Sequence, residues 1–280
     1  MIEVIRILLA LVGTSIACYY DVFNRKNVPE KFLYIFLAIS IAINIFDYSF
    51  FYSQILSTII AISLILFLFL LYKIGQIGGA DVFVITSIFF ALPKVSPIFK
   101  KETFVSYISV PLPSIIPILA ISSILFLLFL FITKIGYCIK NLKKVKLTSI
   151  AEATIIVLAF SFLLYSLHSF IKLEFLIFNL IILFFLCFLI LFKDIISESM
   201  IKMKSIKEIE PEDILAIEKV NEEIVKKLKL NRLITKEQIE KMKKVKIKKW
   251  PIFDLPQFLP FVLIGLIFYI LFGDILYFFI

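Results

Sequence analysis

Residues that carry metal or nucleophile chemistry are scarce in this 280-residue chain. Histidine occurs once, at His168 inside an apolar run, so a histidine metal site or a Ser-His triad has no basis in the residues present. The three cysteines, Cys18, Cys138 and Cys187, lie singly in or beside apolar segments. Without a CxxC pair they indicate neither a zinc site nor a disulfide framework, and no metal or other cofactor is expected. The short alternating strands of a transmembrane β-barrel are missing. A repeat of fixed period is missing too, and with it the signature of a transporter built from inverted repeats.

What fills the chain is apolar: 61% of residues are hydrophobic and the mean hydropathy is +1.05. Runs long enough to cross a bilayer recur along most of its length, which predicts an all-α polytopic membrane protein. Eight spans are expected, over 2–20, 32–47, 54–76, 81–97, 111–136, 151–171, 174–193 and 256–279. Glu3 and Arg6 open the first, which lacks a convincing small-residue cleavage site and reads as a retained span. The fourth is short: Val82–Leu92 rises only about 17 Å as a helix, against ~30 Å of hydrocarbon. It spans only if its ends meet water or protein.

The formal charge of +9 comes from lysines in loops beside these runs. Positive-inside topology and attraction to anionic lipid account for them, and no nucleic-acid partner is expected. Arg25, Lys26 and Lys31 put the loop after the first span in the cytoplasm. Lys140, Lys143, Lys144 and Lys146 do the same for 137–150, and residues 194–250 return to that side. The loop Pro93–Pro111, with Lys94, Lys100 and Lys101, falls outside and is the one mismatch. Residues 194–250 form a small cytoplasmic domain with helical stretches over Pro211–Leu230 and after Thr235, where Thr235 and Gln238 fit a capping box.

With this orientation Asp21, ending span one, and Asp81, beginning span four, share the cytoplasmic boundary. Ionisable groups at membrane depth are costly, face the bundle interior and are functional candidates. Two carboxylates held close share a proton: one takes a proton from water while the other hydrogen-bonds a scissile carbonyl. Gly78 and Gly79 permit unusual backbone angles and close approach of a substrate chain. The plainer reading of either aspartate alone is a helix-end cap. Asp47 and Asp274 fall on the outer side and Asp194 enters the soluble region, so none of the three joins the pair.

Three stretches, in order, resemble the archaeal type IV prepilin and preflagellin (archaellin) peptidases. Asp21, followed by Arg25 and the Val28-Pro29 turn, is similar to that family's segment after its first helix. Gly78-Gly79-Ala80-Asp81 is similar to its G-x-G-D motif, with Ala80 in place of the second glycine and Phe83 where a lysine is often found. Leu259–Gly265 and Phe272–Asp274 are similar to its last helix. The resemblance implies a membrane aspartic endopeptidase with Asp21 and Asp81 as catalytic pair. Gly78, Gly79 and Ala80 would form the active-site motif, with Arg25 and Pro29 in support. Its substrates would be pilin-like or archaellin precursors, cut behind a short basic leader at the cytoplasmic face of the cell membrane.

On this reading 1–136 is the catalytic core, 137–193 a basic loop with an added helical hairpin, 194–250 the cytoplasmic domain and 251–280 the final span. The acidic residues Glu208, Glu210, Glu212 and Asp213 either meet the basic leader or form a solvated surface. A presenilin-like intramembrane protease and a non-enzymatic transporter or assembly factor are the competing readings.

Overall fold

The computed structural model describes residues 2–24, 27–45, 54–93, 98, 112–167, 173–245 and 247–273. Ten α-helices are found among them: α1 (Ile2–Phe23), α2 (Glu30–Ala42), α3 (Ile55–Ile74), α4 (Gly79–Ala91), α5 (Ile115–Lys140), α6 (Leu147–Leu167), α7 (Leu173–Ser199), α8 (Glu222–Leu228), α9 (Lys236–Lys243) and α10 (Leu259–Phe272). Five helices, in α1, α3, α5, α6 and α7, are long and apolar enough to cross a membrane. Large side chains such as Leu66 and Leu70 on α3, and Leu158, Phe162 and Tyr165 on α6, stand exposed, as lipid-facing residues do. The shorter α2, α4 and α10 contribute 13, 13 and 14 residues. Expected span positions 94–97, 168–171 and 274–279, with His168, Asp47, Asp274 and the lysines of the 94–111 loop, lie outside the described residues.

The short α4 sits at the centre. Val84, Ile88 and Ala91 on one side join Ala10 and Ala17 of α1, Leu33 and Phe36 of α2 and Leu266 of α10 in a single buried cluster. Ile85 and Phe89 on the other side meet Ala61 of α3 and Ile115 of α5. A helix buried all round needs no lipid-length apolar run, because its neighbours supply the apolar surroundings. Its last carbonyls are also met by protein. The guanidinium of Arg6 on α1 donates to the Phe90 and Ala91 oxygens at 3.4 and 3.1 Å. Asn44 Nδ2 donates to the Phe90 oxygen at 2.9 Å, and the Ser114 hydroxyl to that of Leu92. Three polar groups from three segments, in four hydrogen bonds, thus complete a helix end that sequence alone left short.

α10 closes the core against α5 at a point where only glycine fits. A Cβ on Gly265 would meet Ser122 Oγ and stand 2.7 Å from the Ile118 carbonyl oxygen. The Ser122 hydroxyl donates to that same oxygen at 2.6 Å, so neither neighbour moves freely. Gly265→Ala is therefore expected to cost about 1–3 kcal/mol by overpacking and to lower the thermal midpoint of the purified protein. Gly136→Ala on α5 meets nothing within 4 Å and serves as the neutral comparison. Equal midpoints for the two variants would refute this packing account.

The hairpin expected between 151 and 193 is α6 and α7 packed together, with Phe188, Ile195 and Ile196 of α7 against Cys138 of α5. α7 continues to Ser199, so residues 194–199 are helix rather than the opening of the soluble region. Ion pairs Lys193–Glu152 at 2.5 Å, Lys146–Asp194 at 3.0 Å and Lys144–Glu198 at 3.5 Å tie its end to α6 and the preceding turn.

The region after α7 departs most from expectation. Strands β1 (Ile201–Ser205), β2 (Ile214–Leu215) and β3 (Lys249–Phe253) form an antiparallel sheet in the order β1-β3-β2. The helix expected over 211–230 is confined to α8, and β2 and a 3-10 turn occupy its first part. Tertiary pairing explains this: β2 is too short to announce itself, and it forms because β3, far along the chain, supplies its hydrogen bonds. Trp250, Leu215, Met242 and Ile252 make a small core of its own. The capping box at Thr235 is present in both directions: Gln238 N donates to Thr235 Oγ1 at 3.3 Å and Thr235 N to Gln238 Oε1 at 3.2 Å.

Candidate active site

The candidate residues arise from two helix ends. α1 ends at Phe23, and Asp21 in its last turn is 8% exposed and points into the bundle. The chain then turns on Asn24 and Asn27, whose backbone and side-chain bonds of 2.9 and 3.0 Å link the two residues. Pro29 caps α2 with φ −58°, and its carbonyl accepts from Phe32 and Leu33 N–H groups at 3.0 and 3.2 Å. Its ring presets the angle that starts α2, and Val28 before it is buried in the core. Arg25 lies outside the described residues.

On the facing side α3 ends at Gly75, in the left-handed region at φ 76°. Three residues later Gly78, extended at φ −70° and ψ 144°, is the N-cap of α4. Asp81 is the third residue of that helix, and its carboxylate accepts the Gly78 backbone N–H. This is the returning half of a capping box, so the plain helix-cap role is present. What a cap does not require is a second acid: the Asp21 carboxylate lies within direct electrostatic reach of Asp81. Two helices that begin and end far apart in sequence thus bring two acids to one end of the bundle.

The glycines serve by their small size. Neither Gly78 nor Gly79 has a positive φ, contrary to the expectation of unusual backbone angles. A Cβ on Gly78 would stand 3.1 Å from Asp81 Oδ2. One on Gly79 would stand 3.0 Å from the Tyr72 ring and 3.2 Å from Glu212 Oε2. Ala80 is inside the first helical turn, where alanine is a favourable residue, so its replacement of glycine carries no conformational cost. Phe83 packs edge-on against Tyr34 of α2 at 5.3 Å, a neutral contact where a lysine would bring charge.

Two contributions come from sequence positions with no signal of their own. Gln257, just before α10, donates from Nε2 to the Asp21 backbone oxygen at 2.6 Å and holds the end of α1. Glu212, just before β2, accepts from the Tyr72 hydroxyl at 3.0 Å, directly over Gly79. Its backbone is left-handed, at φ 74°, a conformation glutamate adopts at a cost.

Glu210 accepts from Asn27 Nδ2 at 3.0 Å, beside the other aspartate-bearing segment. The rest of the acidic cluster is engaged internally. Asp213 binds Lys204 at 3.0 Å, and the Ser205 N–H at 3.0 Å holds the Glu208 carboxyl below its usual range. Glu210 and Glu212 are therefore clasps between the β1–β2 connection and the two aspartate-bearing segments.

Removing a clasp has a measurable result. Tyr72→Phe deletes one hydrogen bond to a charged acceptor, worth about 1.5 kcal/mol. Hydrogen exchange in 208–216 is expected to rise about tenfold, while β3 around the buried Trp250 exchanges as before. An unchanged 208–216 segment would show that the contact holds nothing.

Among the described residues no group of three or more histidine, cysteine or acidic side chains is arranged to hold a metal. Comparison of the chain with protein families, with characterised proteins and with solved structures finds no match.

Proposed function

We propose that the chain is a membrane aspartic endopeptidase that removes the short basic leader from pilin-like or archaellin precursors at the cytoplasmic face. The observation that carries this reading is the meeting of Asp21 and Asp81, on α1 and α4, at one end of a membrane bundle. Both acids belong to helix-terminal turns, which suits a substrate cut just outside its hydrophobic helix. A protease cutting in mid-membrane calls for acids deeper in their spans. The lysine-rich turns after α5 and α7 favour the cytoplasm for this end, and with it a topology of eight spans.

In this mechanism the pair holds one proton between its two carboxyls. The ionised member takes a proton from a water molecule as that water attacks the scissile carbonyl carbon. The protonated member donates a hydrogen bond to the carbonyl oxygen; the proton taken from water then passes to the leaving amine, and the pair is left with one proton as before. The titration belongs to the pair, so activity should fall on both the acid and the alkaline side. A precursor containing both leader and hydrophobic helix, incubated with the wild-type chain and with Asp21→Asn or Asp81→Asn, provides the test.

A further inference from the structure

A cavity of about 210 Å³ opens behind the loop that carries Gly78. Gly75 and Gln76 line one wall, Lys193 and Ser197 of α7 another, and Arg232 and Phe253 of the soluble region the third. Aliphatic side chains of Ile196, Met200 and Ile214 complete it. The ends of α3 and α7 both border it, and both are membrane-length apolar helices, so a bilayer spanned by them would bring its headgroups to the mouth.

The charge in this cavity is not balanced. Lys193 pairs with Glu152 at 2.5 Å, which accounts for one cation. Among the described residues no carboxylate pairs with Arg232, and its Nε is buried without a hydrogen-bond acceptor. The guanidinium is held over the Phe253 ring at 5.3 Å. Its stem runs past Gly75, where a Cβ would lie 3.7 Å from the Arg232 Cγ. A pinned guanidinium with an unsatisfied donor is matched by an oxyanion that accepts two parallel bonds. Lys193, the Ser197 hydroxyl and the Gln76 amide are further donors on the same walls.

We propose that this cavity binds the phosphate of an anionic membrane lipid, with Arg232 as the principal ligand and the acyl chains leaving past Ile196 and Met200 into the bilayer. A phosphate source is present at this depth in every phospholipid membrane. The aliphatic wall distinguishes a lipid from free phosphate, which gains nothing from it. Bound there, the headgroup braces Gly75 and Gln76, the first residues of the loop that leads into α4 and its Asp81. The proposal does not depend on the peptidase reading.

Native mass spectrometry of the full-length purified protein, titrated with phosphatidylglycerol or phosphatidylcholine, reads the site directly. The wild type is expected to retain phosphatidylglycerol about fivefold more strongly, and Arg232→Gln to lose that preference, with Arg232→Lys between them. Emission from Trp250, the single tryptophan and fully buried, reports whether the soluble region stays folded. Ser197→Phe fills the cavity from α7 and leaves every residue of that region unchanged, and is expected to lower retention as well. The proposal is overturned if the wild type has no preference, or if either Arg232→Gln or Ser197→Phe retains the lipid fully. Displacement of the lipid by an equal concentration of inorganic phosphate also overturns it, because the site then takes the free anion.

Discussion

Asp21→Asn or Asp81→Asn is expected to abolish processing of a co-expressed pilin-like precursor, leaving the band at its unprocessed mobility. General acid–base groups contribute about 10²- to 10⁴-fold each, and the two carboxyls act as a unit, so the double variant should be little worse than either single one. Asparagine keeps the volume and the capacity to accept a hydrogen bond. At position 81 it can still accept the Gly78 N–H and start α4. Folding is thereby separated from chemistry: a variant that is inserted and stable yet inactive has lost the acid and not the cap. Asp194→Asn, which breaks only an exposed ion pair with Lys146 at 3.0 Å, should process normally, and so should a change at Asp47. Processing that survives loss of either Asp21 or Asp81 disproves the peptidase reading.

Arg6→Met is expected to be the most damaging substitution for stability. Arg6 is 4% exposed, in the first turns of α1, and its guanidinium bonds Asn44 Oδ1 at 2.9 Å as well as the two last carbonyls of α4. Methionine fills a similar volume but leaves the Ala91 oxygen without that donor in a site that excludes water. Removing one side of a buried charged network costs about 3–5 kcal/mol, more than deleting a neutral hydrogen bond. The expected result is a thermal midpoint lowered by several degrees or a failure to accumulate, with Arg6→Lys recovering part of the loss. Because α4 is the helix that carries Asp81, a destabilised but folded Arg6 variant should also lose activity from the far end of that helix. A midpoint equal to that of the wild type would show that the α4 carbonyls find other donors.

The bundle was legible because lipid imposes a simple rule: apolar runs of sufficient length become helices. The five long helices follow it. The lysine pattern gave the two aspartates a common face, and α1 and α4 do bring Asp21 and Asp81 together. The short fourth run could not be understood from its own residues. Arg6, Asn44 and Ser114, which complete α4, come from three other segments, and nothing in their local sequence advertises the task. Arg6 read as a flanking charge before a span, and in fact it is buried. Gln257 and Glu212 were illegible for the same reason, since each acts across a large sequence separation.

The region after α7 shows the limit from another side. Thr235 and Gln238 were readable because a capping box is closed within four residues. β2 was not, because two residues hold no periodicity and their pairing partner, β3, comes about 40 positions later.

Residue order was enough to predict a helical membrane bundle, to assign Asp21 and Asp81 to one end of it, and to start a helix at Thr235. Each of these rests on composition, periodicity or a contact a few residues long. Packing revealed that Gly78 and Gly79 are there for room, that Ala80 is harmless inside a helical turn, and that Arg6 completes α4. It alone brought Glu212 over Gly79 and left Arg232 facing a cavity without a carboxylate. Those outcomes depend on which distant segments pack together, and packing is settled by the whole core at once.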